Sequence, residues 1–376
     1  MASSSANTPA ALNALSDTAV ALMRQLEAVL LTINSGKDEP QPTDAPSNPP
    51  VDVFSLAKDT ASLIKAHSTK ISVLIINEPF TPSAIGKVLR ELIAGPIPGI
   101  ATAAQTCDVD RYTLTVRKDL SWKCYTVLKE LRGLVEKIPR DGKILSADQK
   151  NGGGASATGK GSMAATGVIW SACEEVIKFS QGGIGGCFVQ KVEQFRATLK
   201  DVMEELKEWG EEEPEDDDEE SDADDLDHDS ALGSMMPSAQ EMLDDMMDGS
   251  QAIPRDDPDK IRDRLESCLK RLRLTTLLYQ AIVKRRLKTL PSLPADKSEI
   301  PKRLDEAMRI LKKLPHMFDE LAGAFYELSP DEIDQQMTSC FDEIVALSEL
   351  LRANWTGDKD EFSEWAVKFQ AEMKKG

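Results

Sequence analysis

Aromatic residues make up only 5% of the 376 positions, and runs of β-branched residues are few. That scarcity argues against a sheet and favours aliphatic helix packing. There are six cysteines, and no two are spaced as CxxC, so neither a disulfide framework nor a zinc ribbon is expected. They read as buried thiols in a reducing compartment. Histidines number three, too few and too scattered for a catalytic constellation. No apolar run approaches the length of a bilayer span. The first basic residue is Arg24, so the charged start of a secretory leader is missing. A soluble intracellular protein of two domains is the expectation.

One further absence is local. Between Glu208 and Pro254 there is no Lys and no Arg. Nineteen of the 64 acidic residues fall there, which leaves 45 to balance the 45 basic residues elsewhere. The formal net charge of −19 therefore belongs to this one segment, and the rest of the chain is neutral. Such a stretch has little apolar area to bury against strong self-repulsion, so 208–254 is expected to be a disordered acidic linker. Its tail differs. Met235, Met236, Met242, Leu243, Met246 and Met247 could line one side of a short amphipathic helix over 237–248, a docking element for the second domain or for a partner.

What is there in quantity is helical periodicity. After a small, polar, disordered 1–9, a helix over 10–33 carries Leu12, Leu15, Ala19, Leu22, Leu26, Val29 and Ile33. Asp52 is placed to cap a helix reaching Ile76, with Val53, Leu56, Thr60, Leu63, Ile71 and Leu74 inward. Thr81-Pro82 starts another, which the Gly95 to Gly99 segment breaks. A long helix over 109–138 presents Val116, Leu120, Cys124, Val127, Leu131, Leu134 and Ile138, and Pro139 ends it. Residues 140–161 read as a polar, Gly-rich loop. Helices over 163–181 and 187–209 flank the Gly182 to Gly186 turn. Beyond the acidic stretch, Asp257-Pro258 caps a helix to Leu290. The heptad Ile300, Leu304, Ala307, Leu311, Leu314, Phe318, Leu321, Phe325, Leu328 follows, and Pro315 should kink or split it. Ser329-Pro330-Asp331-Glu332 reads as a capping box for helix 330–353, and a last helix over 359–374 packs Phe362, Trp365 and Phe369. The fold class is all-α: two antiparallel helical bundles, 10–207 and 255–376, joined by the linker.

Candidate chemistry is sparse. Gly154 to Gly161 nearly spells a phosphate-binding loop, but Gly161 stands where the magnesium-ligating hydroxyl belongs and no strand precedes it, so a flexible linker is the reading. His67 lies on an apolar stripe as a hydrogen-bonded boundary histidine; His228 sits in the acid run, and His316 has no partner in view. Residues 216–227 lack the glycine a calcium loop needs. No catalytic, cofactor or metal residues are assigned. Ser221, in Glu-Glu-Ser-Asp-Ala-Asp, suits acidophilic kinases and is a candidate phosphorylation site, balanced against an unmodified linker serine. The helix 260–288 is rich in Lys and Arg. Lys270, Arg271, Arg273, Lys284, Arg285 and Arg286 form a candidate basic docking face, with a plain solvated face as the alternative. No aromatics interleave with them, which disfavours direct nucleic-acid binding.

Three segments, in order, carry a resemblance. Val168-Ile169-Trp170-Ser171-Ala172-Cys173-Glu174 resembles the Val-Trp-x-Ala-Cys helix start of the cyclin-D-binding (cyclin-D-interacting) protein family. Met203-Glu204-Glu205-Leu206 leads into an acidic, Ser-containing linker, as in that family, and Cys268-Leu269-Lys270-Arg271-Leu272-Arg273 is similar to its Cys-Leu-Lys-Lys-Ile-Arg. The resemblance implies a two-domain helical protein similar to vinculin, α-catenin and talin, with no enzymatic activity and no cofactor. It implies binding to cyclin D and to helix–loop–helix transcription factors, negative regulation of cell-cycle progression, and residence in cytoplasm and nucleus. The expectation is a non-enzymatic adaptor that takes partner helices into grooves between its own. A vinculin-like cytoskeletal or junctional scaffold is one alternative. An acidic chaperone for basic partners such as histones is another. The oligomeric state stays open.

Overall fold

The computed structural model describes residues 8–36, 52–151, 161–212, 252–291 and 299–375. Those residues are all-helical, with no strand among them. In chain order the helices are α1 (Pro9–Ser35), α2 (Val53–Ile76), α3 (Pro82–Ala94), α4 (Pro96–Gln105), the single turn α5 (Val109–Tyr112), α6 (Leu114–Val135), the short α7 (Ala147–Asn151), α8 (Ser162–Glu211), α9 (Ile261–Ile282), α10 (Ile300–Tyr326), α11 (Pro330–Leu350) and α12 (Glu361–Met373). No helix among the described residues is long and apolar enough to cross a membrane. The Met-rich segment 237–248, Ser221 and most of the near phosphate loop at 154–160 lie outside the described residues.

The chain divides into two compact units: Met1–Phe188 with Leu290–Asp305, and Val189–Thr289 with Glu306–Gly376. The division falls inside α8, upstream of the boundary at 207 read from the sequence. The break that the Gly182 to Gly186 segment signals is real, since Gly183 sits at φ 59° within the helical run, a conformation that favours glycine.

In the first unit α1 packs on α6 and α2 packs on α4. The buried edge of α1 is Leu12, Ser16, Ala19, Met23, Glu27, Leu30 and Ile33. It is rotated from the expected stripe, and Val29 lies on the exposed side. Glu27 is inward because Arg132 of α6 meets it with Nε at 2.8 Å and Nη2 at 3.2 Å. Asp52 caps α2 as expected, accepting from the Phe54 amide at 3.1 Å. The helix from Pro82 ends at Ala94 as expected, but a new helix follows at once, because Pro96 occupies the first turn of α4, where a missing N–H costs nothing. Gly99 of α4 then meets α2 closely: a Cβ there would lie 2.7 Å from Thr60 Cγ2. The expected helix 109–138 is two pieces, α5 and α6, separated at Thr113 with φ 87°. Asp305 accepts from the Leu114 amide at 2.6 Å and from the Thr115 amide at 3.0 Å, filling the orphan donors of the α6 N-terminus. Within the expected Gly-rich loop, Leu145 is buried and donates its amide to Ile75 O at 2.9 Å.

In the second unit the α8 stripe Val192, Leu199, Val202, Leu206 and Trp209 is buried. Trp209, expected to close the helix before the linker, packs edge-on against Tyr326 with ring centroids 5.4 Å apart. Tyr326 donates to Glu205 at 2.8 Å. Asp257 caps α9, accepting from the Ile261 amide at 2.7 Å and the Arg262 amide at 2.9 Å. The Ser329 box does not form, since the Ser329 side chain makes no capping bond; a full capping box stands instead at α12, between Asp360 and Ser363.

Pro315 does not split α10, which runs unbroken through it to Tyr326. The reason is chemical. A proline strips the helical donor from the carbonyl four residues back, here that of Leu311. The Tyr279 hydroxyl, fully buried on α9, donates to Leu311 O at 2.9 Å and supplies the missing bond. A buried carbonyl left without a donor costs roughly 1–3 kcal/mol. Tyr279→Phe is therefore expected to lower unfolding stability by that order. In a Pro315→Ala background, where the backbone amide regained at that position restores the helical bond, the same change should cost much less. A urea-melt double-mutant cycle reads the coupling, and additive effects would contradict this account.

Candidate functional site

The thiols offer no nucleophile. All six cysteines are buried and none is in a disulfide. Burial pushes the Cys107, Cys173, Cys268 and Cys340 thiols up to about 12, so they pack as small apolar side chains. His67, 8% exposed between α2 and α3, sits with Nδ1 3.7 Å from Glu91 Oε2. That is too long for a hydrogen bond, and the buried Nδ1 has no other partner, so the expected hydrogen-bonded histidine is a packed one at this atom. Burial and then Lys70 lower its pKa, which keeps the ring neutral at pH 7. His316 is exposed, its Nε2 3.5 Å from Glu320. Among the described residues no group of three or more His, Cys, Asp or Glu could hold a metal ion.

The basic helix is where the structure sorts the expected site residues. Six were read as one docking face; they take three different places. Arg286 is not on a face at all, with 1% of its area exposed. The chain after α9 widens into a π-helical turn, Val283–Leu287, which accommodates one residue more per turn and aims Arg286 inward. Its guanidinium donates to both Asp360 oxygens at 2.7 and 3.0 Å, to Leu351 O at 2.7 Å and to Arg352 O at 2.8 Å, and lies 4.3 Å from the Phe362 ring centroid. The sequence carried a hint. Position 286 is seven after Tyr279 and three after Val283, in register with the inward stripe, but a cation there reads as surface until its partner Asp360 is known. Arg271 is also spent inside the unit, half-buried and 4.1 Å over the Phe341 ring.

The other four are exposed and line two grooves. Lys270 and Arg273 border the larger, a groove of about 860 Å³ between the C-terminal part of α8 and the first turns of α9. Met203, Leu265 and Leu269 give it an apolar floor, and the rim adds two more cations, Lys207 and Arg262, and three carboxylates, Glu204, Glu211 and Glu266. Its width is set by Gly210, where a Cβ would strike Leu265 Cδ2. Lys284 and Arg285 border the smaller, about 370 Å³, between α9 and α12 over Leu277, Phe362 and Trp365. Arg285 is paired with Glu361 at 2.8 Å. Sequence reasoning found the basic half of each groove and missed the opposing walls, which come from helices distant in the chain.

Two comparisons bear on what such grooves are for. Residues 57–212 match the family model described as Grap2 and cyclin-D-interacting, N-terminal, so the family likeness read from Val168–Glu174 holds across α2 to α8. An uncharacterized protein of Schizosaccharomyces pombe is 26% identical over 196 residues, 52% of this chain and 55% of the yeast protein. The match thus spans about half the length of that relative.

The Arg286 cluster generates two expectations. Removing the arginine takes from Leu351 O its buried side-chain donor and leaves Asp360 and Arg352 O with Ser363, so Arg286→Ala should lower stability by ~3 kcal/mol in a denaturant melt. The Arg286 guanidinium also holds the Asp360 carboxyl down at about 2, below its ordinary 3.8. As pH falls the unfolded chain takes up this proton first. The pair's contribution is therefore whole above about pH 4 and is lost as pH drops toward 2. Asp360→Asn should flatten the acid limb of the stability–pH curve over that window; an unchanged limb would contradict the assignment.

Proposed function

From the match of residues 57–212 to the cyclin-D-interacting family, we propose that the chain is a non-enzymatic protein-binding adaptor that takes a partner helix into the α8–α9 groove. One observation carries the reading: an apolar floor of Met203, Leu265 and Leu269 rimmed by charged side chains, one wall of which lies inside the family-matched segment. A groove between two helices fits an amphipathic helix, whose apolar stripe takes the floor while its flanks meet the rim. The likeness to a cyclin-D-interacting family makes a cyclin of the D type the first partner to test, with helix–loop–helix factors next. Negative control of cell-cycle progression, in cytoplasm and nucleus, is the role this reading assigns.

The test is direct binding of a purified D-type cyclin to the full chain. Leu269→Asp puts a carboxylate on the groove floor at a position that is not fully buried, and should weaken capture about tenfold, ~1.4 kcal/mol, with the melting midpoint unmoved. Leu63→Asp, at an exposed α2 position outside the groove lining, should bind as the parent does. Deleting residues 213–229 should leave capture intact if the grooves hold the partner. Cyclin binding that ignores Leu269→Asp would overturn the groove assignment. Failure to bind cyclins or transcription factors, with retention on filamentous actin instead, would favour a vinculin-like scaffold.

A further inference from the structure

We infer that residues 235–248 of this chain dock into the α8–α9 groove of the same molecule and occupy it when no partner is bound. The first observation is where the described chain stops and resumes. Helix α8 ends at Glu211, itself a groove residue, and the chain returns through Ile253, which is fully buried. One side chain ties both ends together at the groove. Arg262 donates from Nη1 to Gly210 O at 3.2 Å and from Nη2 to Ile253 O at 3.1 Å. The intervening segment therefore leaves from and returns to the rim of the site.

The second observation is reach. Four residues lie between Asp248 and Ile253, and the five steps span at most about 17 Å. Asp248 is thus held within that distance of Ile253. Tethering at this range gives an effective concentration on the order of millimolar, so even a weak contact is populated.

The third is chemical fit. Met235, Met236, Met242, Leu243, Met246 and Met247 are the dense apolar set between Glu213 and Gln251, while 213–229 offers only Ala223 and Leu226 besides Pro214. Unbranched methionines conform to an irregular apolar floor. Glu241, Asp244, Asp245 and Asp248 are interleaved with them, and the groove lining carries Lys207, Arg262, Lys270 and Arg273 beside Glu204, Glu211 and Glu266. The fit is therefore chiefly apolar, methionines and a leucine over the floor, with Lys270 and Arg273 within the lining to meet the acidic positions.

This inference needs no outside partner, so its failure and the failure of the adaptor reading are separable. The experiment compares the full chain with a full-chain variant carrying Met242→Ser, Leu243→Ser, Met246→Ser and Met247→Ser. The probe is a fluorescently labelled synthetic peptide of residues 233–250, read by anisotropy at fixed salt. The variant, its own segment disabled, should bind the peptide, and the parent should bind it at least tenfold more weakly because the tethered copy competes. Adding Leu269→Asp to the variant should abolish the binding, while circular dichroism shows the helices retained. Equal affinity for parent and variant, binding to neither, or binding indifferent to Leu269→Asp would each overturn the proposal.

Discussion

The hydroxyl of Tyr279, donated to the carbonyl that Pro315 leaves without a helical partner, is the contact on which the second unit turns. It allows α10 to continue past a proline. In doing so it also fixes which side of α9 faces inward. A second polar anchor, Arg286 on Asp360, holds the widened turn that follows the same end of that helix. With both in place the C-terminal part of α9 cannot rotate without leaving a buried carbonyl or a buried cation unpaired, and either costs more than a surface contact returns. The outward side of α9 is thereby set, and that side forms the common wall of both grooves.

The charge distribution then acquires a structural sense. A chain that is neutral apart from one acidic segment places the two ends of that segment at a groove lined by Lys207, Arg262, Lys270 and Arg273 together with Glu204, Glu211 and Glu266. The rim ions are exposed and each contributes little in water. With the signs mixed, the apolar floor of Met203, Leu265 and Leu269 is what the groove offers a partner first. Close approach of α8 and α9 is permitted by Gly210, and a larger residue there would move the wall that Met203 and Leu265 share.

Much of the fold was legible because aliphatic periodicity survives in the helices that bury one stripe. The α6 set from Val116 to Ile138 and the α10 heptad from Leu304 to Phe325 are buried as read. The errors have particular causes. In α1 and α2 the inward positions include Glu27, Ser68 and Ser72, whose polarity hides the stripe, while Leu63 and Val73 are exposed and mimic one. Helix α4 was missed because its opening prolines read as a break, although proline is tolerated in a first turn. The basic face was half legible: Lys270, Arg273, Lys284 and Arg285 line grooves, but Arg286 and Arg271 are spent on Asp360 and Phe341, partners 74 and 70 positions away. Groove walls drawn from separate helices have no local signature.

Amide hydrogen exchange of the full chain with and without a bound D-type cyclin reads whether the α8–α9 groove docks protein. Slowed exchange concentrated in residues 203–211 and 262–273 is the expected result. Protection confined to α1, α3 and α6, with those two stretches unchanged in the complex, would contradict it.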